Sequence, residues 1–85
     1  MEKKRIGVVF TYFAKVGVAG IKLEDELKVG DKVLFQGHTT NFEQEVDSMQ
    51  IDRNPVEVAN AGQEVGIKVR ERVRPNDIVY KVIEE

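Results

Sequence analysis

The sequence predicts an all-β domain, a sandwich or small barrel of about six or seven short strands. Three observations carry this. The apolar residues are mostly β-branched or aromatic and recur at period two, which is strand patterning. Turn signals built on Gly, Pro, Asn and Asp interrupt that pattern at short intervals. The 85 residues make one domain, 1–85, with one core, since a chain this short buries only about 60% of the surface its unfolded form exposes.

Taken in order, Ile6 to Phe13 puts Ile6, Val8, Phe10 and Tyr12 on one face and Gly7, Val9, Thr11 and Phe13 on the other. Apolar residues on both faces predict a central strand. Ala14-Lys15 turns the chain into a second strand, Val16 to Leu23. Its apolar residues change parity between Val18 and Ala19, with Gly17 and Gly20 on either side, which predicts a β-bulge. Glu24 to Lys28 is the one candidate for a short helical turn.

Leu27-Lys28-Val29-Gly30-Asp31-Lys32-Val33 then reads as a tight turn opening a strand over Val33 to Phe35. Gly37 to Asn41 is a polar loop, and Phe42 to Ile51 alternates with a parity change near Asp47-Ser48 that predicts a second bulge or twist. Asp52-Arg53-Asn54-Pro55 is a turn, Val56 to Val58 a short strand, and Ala59 to Gly62 a turn suited to positive φ at Gly62. Val65 to Val73 and Ile78 to Ile83 are the last strands, joined by a second copy of the turn device at Val73-Arg74-Pro75-Asn76-Asp77-Ile78-Val79.

Composition narrows the function classes. Thirteen Lys and Arg against 15 Asp and Glu give a net charge of −2, without the basic excess of a dedicated nucleic-acid coat. There is no cysteine, hence no disulfide and no thiolate metal site. The charged start, Met1 to Arg5, leads straight into strand pattern, so neither a leader nor a membrane segment is expected, and the expected compartment is the cytoplasm.

The single Ser48 and single His38 are ten residues apart in sequence and lack nucleophile-elbow glycines. A strand Ser and a loop His are expected there, with no catalytic residue, metal or cofactor. Gly17-Val18-Ala19-Gly20 has the spacing of an RNA-clamping loop, but its β-branched flanks favour a bulged strand. No phosphate-binding loop is present, so nucleotide binding is not expected.

One feature stands above this background. Lys68, Arg70, Arg72 and Arg74 alternate with Val69, Glu71 and Val73, which in a strand would place four cations on one face. Two readings fit: a solvated face offset by carboxylates on neighbouring strands, or a stripe that contacts phosphates. Phe10, Tyr12 and Phe13 near Lys15 offer stacking surfaces, although a chain of this size needs most of its aromatics in the core.

The ordered series Gly7-Val8-Val9, Lys15 to Ala19, Leu27 to Val33, Val46 to Gln50, Ala59 to Ile67 and Val73 to Val79 resembles the second domain of translational GTPases such as elongation factors Tu and G and initiation factor 2. It looks closest to stand-alone elongation-factor-like proteins consisting of this barrel. It is also similar to the barrel appended to some collagenase-like peptidase-family proteins.

The resemblance implies a closed six- or seven-stranded translation-protein-type barrel acting as a non-enzymatic RNA or ribosome-binding module, with Lys68, Arg70, Arg72, Arg74 and Lys15 as RNA contacts. Asp47, Gln50 and Glu64 match positions where factor Tu uses Glu, Arg and Asn on the aminoacyl end of tRNA. Those changes imply that this pocket does not carry over. The alternative is an accessory module docking on a separately encoded enzyme, as the appended barrel does.

Overall fold

The computed structural model describes residues 2–83. The chain runs β1 (Glu2–Phe13), β2 (Val18–Leu23), β3 (Leu27–Lys28), β4 (Lys32–Gln36), β5 (Asn41–Glu45), β6 (Met49–Ile51), β7 (Asn54–Val56), β8 (Val58–Ala59), β9 (Glu64–Lys68) and β10 (Ile78–Ile83), with no helix among the described residues. An eight-stranded antiparallel sheet has the order β5-β4-β10-β1-β2-β9-β6-β7, and β3 and β8 form a two-stranded sheet beside it.

The all-β class therefore holds, with more and shorter strands than expected. The ladder ends at β5 on one side and β7 on the other, so backbone pairing does not close a barrel. The sheet nevertheless curls until β5 reaches the end of β9. There the buried Gln44 carboxamide donates to the Lys68 carbonyl at 2.8 Å and accepts the Arg70 N–H at 2.8 Å. The pair of bonds imitates one rung of a ladder with side-chain atoms.

Curling needs bent strands, and β1 supplies the bend. It is central, pairing with β10 and β2. Its register slips between Arg5 and Gly7 against β10 and between Val9 and Thr11 against β2, which makes Ile6 and Phe10 the additional residues. The bulge expected in β2 between Val18 and Ala19 is thus not there: the slip falls opposite Gly20 and Ile21, and its extra residue lies on β1. Gly20 stays bare because a Cβ there would sit 2.6 Å from Thr11 Cγ2 and 3.0 Å from the bulged Phe10 ring.

The parity change in Phe42 to Ile51 is a strand exchange. β5 pairs with β4, the chain leaves the sheet over residues 46–48, and β6 pairs with β9. Glu24 to Lys28 forms no helical turn; its end enters β3. Two positive-φ residues, Asp52 at 50° and Arg53 at 66°, make the two-residue turn of the β6–β7 hairpin. Pro55 is tolerated because β7 is an edge strand.

One turn device occurs three times among the described residues. In Lys28–Asp31, Asn60–Gln63 and Arg74–Asp77 the fourth residue's N–H donates to the first residue's carbonyl at 3.1 Å. Its side-chain oxygen accepts the first residue's N–H: Asp31 from Lys28 at 2.9 Å, Gln63 from Asn60 at 2.7 Å, and Asp77 from Arg74 at 2.9 Å. The third residue has positive φ in each: Gly30 at 97°, Gly62 at 89° and Asn76 at 79°.

Each turn then clamps one residue on another element by two backbone bonds. Gly30 N–H donates to Val46 O while Val46 N–H donates to Asp31 O; Gly62 and Gln63 hold Leu23 in the same way, and Asn76 and Asp77 hold Val9. The clamped residues and the turn-flanking Leu27, Val33, Ala59, Val65, Val73 and Val79 are all core. Phe35 and Phe42 stack at 5.0 Å to complete that core.

Candidate docking groove

The Lys68-to-Arg74 stripe is not one strand face. β9 ends at Lys68, and the chain bends at residues 70–71. Val69 and Val73 stay buried, so the cations remain outward, but along a turning segment. Val69 N–H donates to Gly17 O and Arg70 N–H to Gln44, bonds that replace a strand ladder.

The four cations also part company. Arg70 lines a hollow of about 460 Å³ with Lys32, Glu43 and Glu45, a mixed-charge setting. Lys68 lines a second hollow of about 310 Å³ with Val16, Val18, Ser48, Met49, Gln50, Pro55 and Gly66. Arg72 and Arg74 are exposed and line neither.

The second hollow continues into a third of about 520 Å³, sharing Val16, Val18, Gln50 and Gly66 and adding Phe13, Lys15 and Arg53. Together they form one groove between the β1–β2 hairpin tip and the β6–β7 hairpin. Its floor is Gly66, paired with Gly20 across β2 and β9. A Cβ on Gly66 would lie 3.3 Å from Val18 Cγ1 and 3.4 Å from Gln50 Cγ, so any larger residue fills the space.

The groove gathers apolar surface that a soluble domain usually hides. Phe13 is 54% exposed and Val16 60%. The expectation that most aromatics are core fails for Phe13, at the β1–β2 hairpin tip, and for Phe10, the bulged residue of β1, both exposed. Sequence reasoning reached Lys15 and Lys68 but missed Arg53. The signal was its place in the turn Asp52-Arg53-Asn54-Pro55, which the groove turns into a wall.

Ion pairing divides the surface. Lys4 pairs with Asp25 at 2.5 Å, Arg5 with Glu24 at 3.0 Å, Lys28 with Glu26 at 3.7 Å, Lys32 with Glu43 at 3.5 Å and Lys81 with Asp31 at 3.3 Å. Hydrogen bonding from Lys4 is the main cause that lowers the Asp25 pKa, and hydrogen bonding to Glu24 the main cause that raises that of Arg5. Among the described residues Lys15, Arg53 and Lys68 have no carboxylate partner.

Of the other sequence candidates, His38 is exposed in the β4–β5 turn, whereas Ser48 lines the groove. Asp47, Gln50 and Glu64 are exposed, and only Gln50 faces the groove. No group of three potential metal ligands occurs among the described residues.

Comparison with known proteins corrects the translation-factor reading. Residues 2–79 match the family described as the peptidase family U32 C-terminal domain. An uncharacterized protease of Methanocaldococcus jannaschii is 45% identical over 80 residues, covering 93% of this chain and 20% of that protein. A collagenase of Porphyromonas gingivalis is 37% identical over 82 residues, covering 94% of this chain and 23% of that protein. The chain thus spans about a fifth of the length of these relatives.

The crystal structure of the C-terminal domain of a protein described as a U32 peptidase of Geobacillus thermoleovorans superposes with a TM-score of 0.88 at 25% identity, over 94% of this chain and 93% of that one. Elongation-factor identity, and the RNA and ribosome partners it implied, fall with these matches. The physical reason is that three of the motifs behind the resemblance, Leu27 to Val33, Ala59 to Ile67 and Val73 to Val79, hold the turn clamps, which specify a scaffold and not a partner. The chain belongs to the peptidase family U32 C-terminal domain family.

Proposed function

We propose that this domain is a non-catalytic accessory module that associates with a protease domain of the U32 family. The observation that carries the reading is the match to about one fifth of proteins named as proteases, which leaves most of each relative outside the matched domain. The domain's own side chains are in keeping with it: Ser48 and His38 sit on different elements and share no hydrogen bond among the described residues. In this proposal the curled sheet is a barrel whose seam is made by side-chain bonds, with Gln44 supplying the rung that the β5 edge lacks. Placement in the cytoplasm belongs to the same proposal; no described helix is long and apolar enough to cross a membrane.

The test mixes this chain with a U32-family protease from which the C-terminal domain has been deleted. Light scattering behind size exclusion should show a complex at ~10–100 µM, the range of interfaces between domains of one protein. The chain alone should leave labelled gelatin and casein intact. Absence of a complex over that range, or hydrolysis by the isolated chain, would overturn the proposal.

A further inference from the structure

The groove between the β1–β2 and β6–β7 hairpins has features that an accessory fold does not need for its own stability. Phe13 and Val16 leave apolar surface in water. Gly66 keeps the floor empty although it lies mid-strand, where glycine weakens a sheet. Arg53 holds φ of 66°, an unfavourable region for a non-glycine residue, and its side chain makes no hydrogen bond or ion pair among the described residues. The positive φ is what the two-residue β6–β7 turn requires, so it is the unpartnered guanidinium, not the backbone, that speaks for an external ligand.

The chemistry of the lining narrows the occupant. Lys15, Arg53 and Lys68 stand around the groove, and among the described residues no carboxylate lines it. The Gln50 carboxamide faces the space and makes no hydrogen bond among the described residues, so it can both donate to and accept from a peptide backbone. Hollows of about 310 and 520 Å³ accommodate one or two side chains. A stable face between globular domains buries roughly 1,200 Å² or more, so this groove suits a linear segment.

We infer that the groove binds an extended acidic segment of a polypeptide substrate, with an aromatic or branched apolar side chain seated over Gly66 between Phe13, Val16 and Val18. Neighbouring Asp or Glu carboxylates meet Lys15, Arg53 and Lys68, and the Gln50 carboxamide pairs with the peptide backbone. The accessory-module reading supplies only the source of the segment, a substrate of the associated protease. Peptide binding is a property of this chain alone.

The test uses dye-labelled ten-residue peptides and fluorescence anisotropy with the 85-residue chain. One peptide has a central Phe flanked by Asp and Glu; the controls replace the acids by Lys, or the Phe by Ala. A single-stranded RNA oligonucleotide is the competitor. The acidic Phe peptide should bind about tenfold or more tighter than either control and weaken as salt rises. Lys15→Glu with Arg53→Glu should weaken it about tenfold again, and Gly66→Val should abolish it while Gly66→Ala weakens it modestly.

Amide shifts in a titration should concentrate at Phe13, Val16, Gln50 and Gly66. Equal binding of the basic peptide, no binding at millimolar peptide, indifference to the Lys15/Arg53 double substitution, or displacement by RNA at lower concentration would each overturn the inference. The double substitution is on the surface and keeps the test open if Gly66→Val does not fold. Loss of peptide binding with an intact protease complex would overturn this inference alone; loss of the complex with intact peptide binding would overturn only the accessory reading.

Discussion

Gln44 and Arg70, 26 residues apart, are joined by a bond from the Arg70 backbone N–H to the Gln44 side-chain oxygen at 2.8 Å. The same carboxamide donates to the Lys68 carbonyl, so one side chain satisfies two backbone groups, one at the end of β9 and one just beyond it. Buried backbone polar groups without partners are costly. Gln44 is therefore the seam between the β5 edge and the far half of the sheet. Gln44→Leu should destabilise the fold by about 2–4 kcal/mol, from two lost bonds and two stranded backbone groups. Urea unfolding would check this, and a change under ~1 kcal/mol would mean water replaces the amide.

The threefold turn device predicts a graded series. Gln63→Ala removes an exposed side-chain clamp and should cost about 1 kcal/mol, and Asp31→Ala, which also loses the ion pair with Lys81, about 1–2 kcal/mol. Gly30→Ala and Gly62→Ala force a Cβ into positive φ, at 97° and 89°, with open space around it. Their cost, about 1–2 kcal/mol, is then purely conformational. Asn76→Gly should be neutral or slightly stabilising, since it relieves the same strain at 79°. Thermal midpoints of the five variants would rank them.

Gly37 is held to glycine by packing against a single carboxylate. A Cβ there would lie 1.8 Å from Asp77 Oδ1, and Asp77 is buried. Gly37→Ala should cost more than about 3 kcal/mol. Asp77→Ala alone should also destabilise, because Arg74 N–H loses its acceptor. Combined, the two should cost clearly less than their sum, since the clash disappears with the carboxylate. Strict additivity in a double-mutant cycle would refute the contact.

The Lys4–Asp25 pair sets a pH signature. Hydrogen bonding from Lys4, then from the Glu26 N–H, lowers the folded Asp25 pKa below its ordinary 3.8. A group depressed in the folded state stabilises above its unfolded pKa and loses that contribution as pH falls through the folded value. The wild type should exceed Asp25→Asn in stability at neutral pH, and the difference should shrink below pH 3.8. Both partners are exposed, so the gap should be small and should narrow with salt. Paired urea curves at pH 7 and pH 2.5 would decide it.

Much of this molecule was legible from neighbouring residues. Period-two apolar residues located β1, β2, β4, β5, β9 and β10, because a strand side chain needs only its own alternation to find the core. The turns at Gly30, Gly62 and Asn76 were legible because positive φ narrows residue choice within four positions. A parity change between Val18 and Ala19 signalled an irregularity in β2, but the slip falls opposite Gly20 and Ile21, and its extra residue, Phe10, lies on the partner strand, where no local pattern could show it.

Three things were decided only by tertiary structure. The four-cation run dispersed because Gln44 and Gly17 capture the backbone at Arg70 and Val69 and draw the chain out of β9. Arg53, Lys15 and Lys68 became neighbours of one groove because β6 pairs with β9 while β9 pairs with β2, a juxtaposition of segments far apart in sequence. The floor of that groove is empty because Gly66 of β9 lies between Val18 of β2 and Gln50 of β6 without a side chain. Local residue order was enough for the all-β class, most strand positions, the turns and much of the core, since each depends on backbone preference and burial within a few residues, but not for where β5 gives way to β6 or where β9 ends. Which surfaces face each other, and so what the domain can hold, followed from long-range pairing that no local signal encodes.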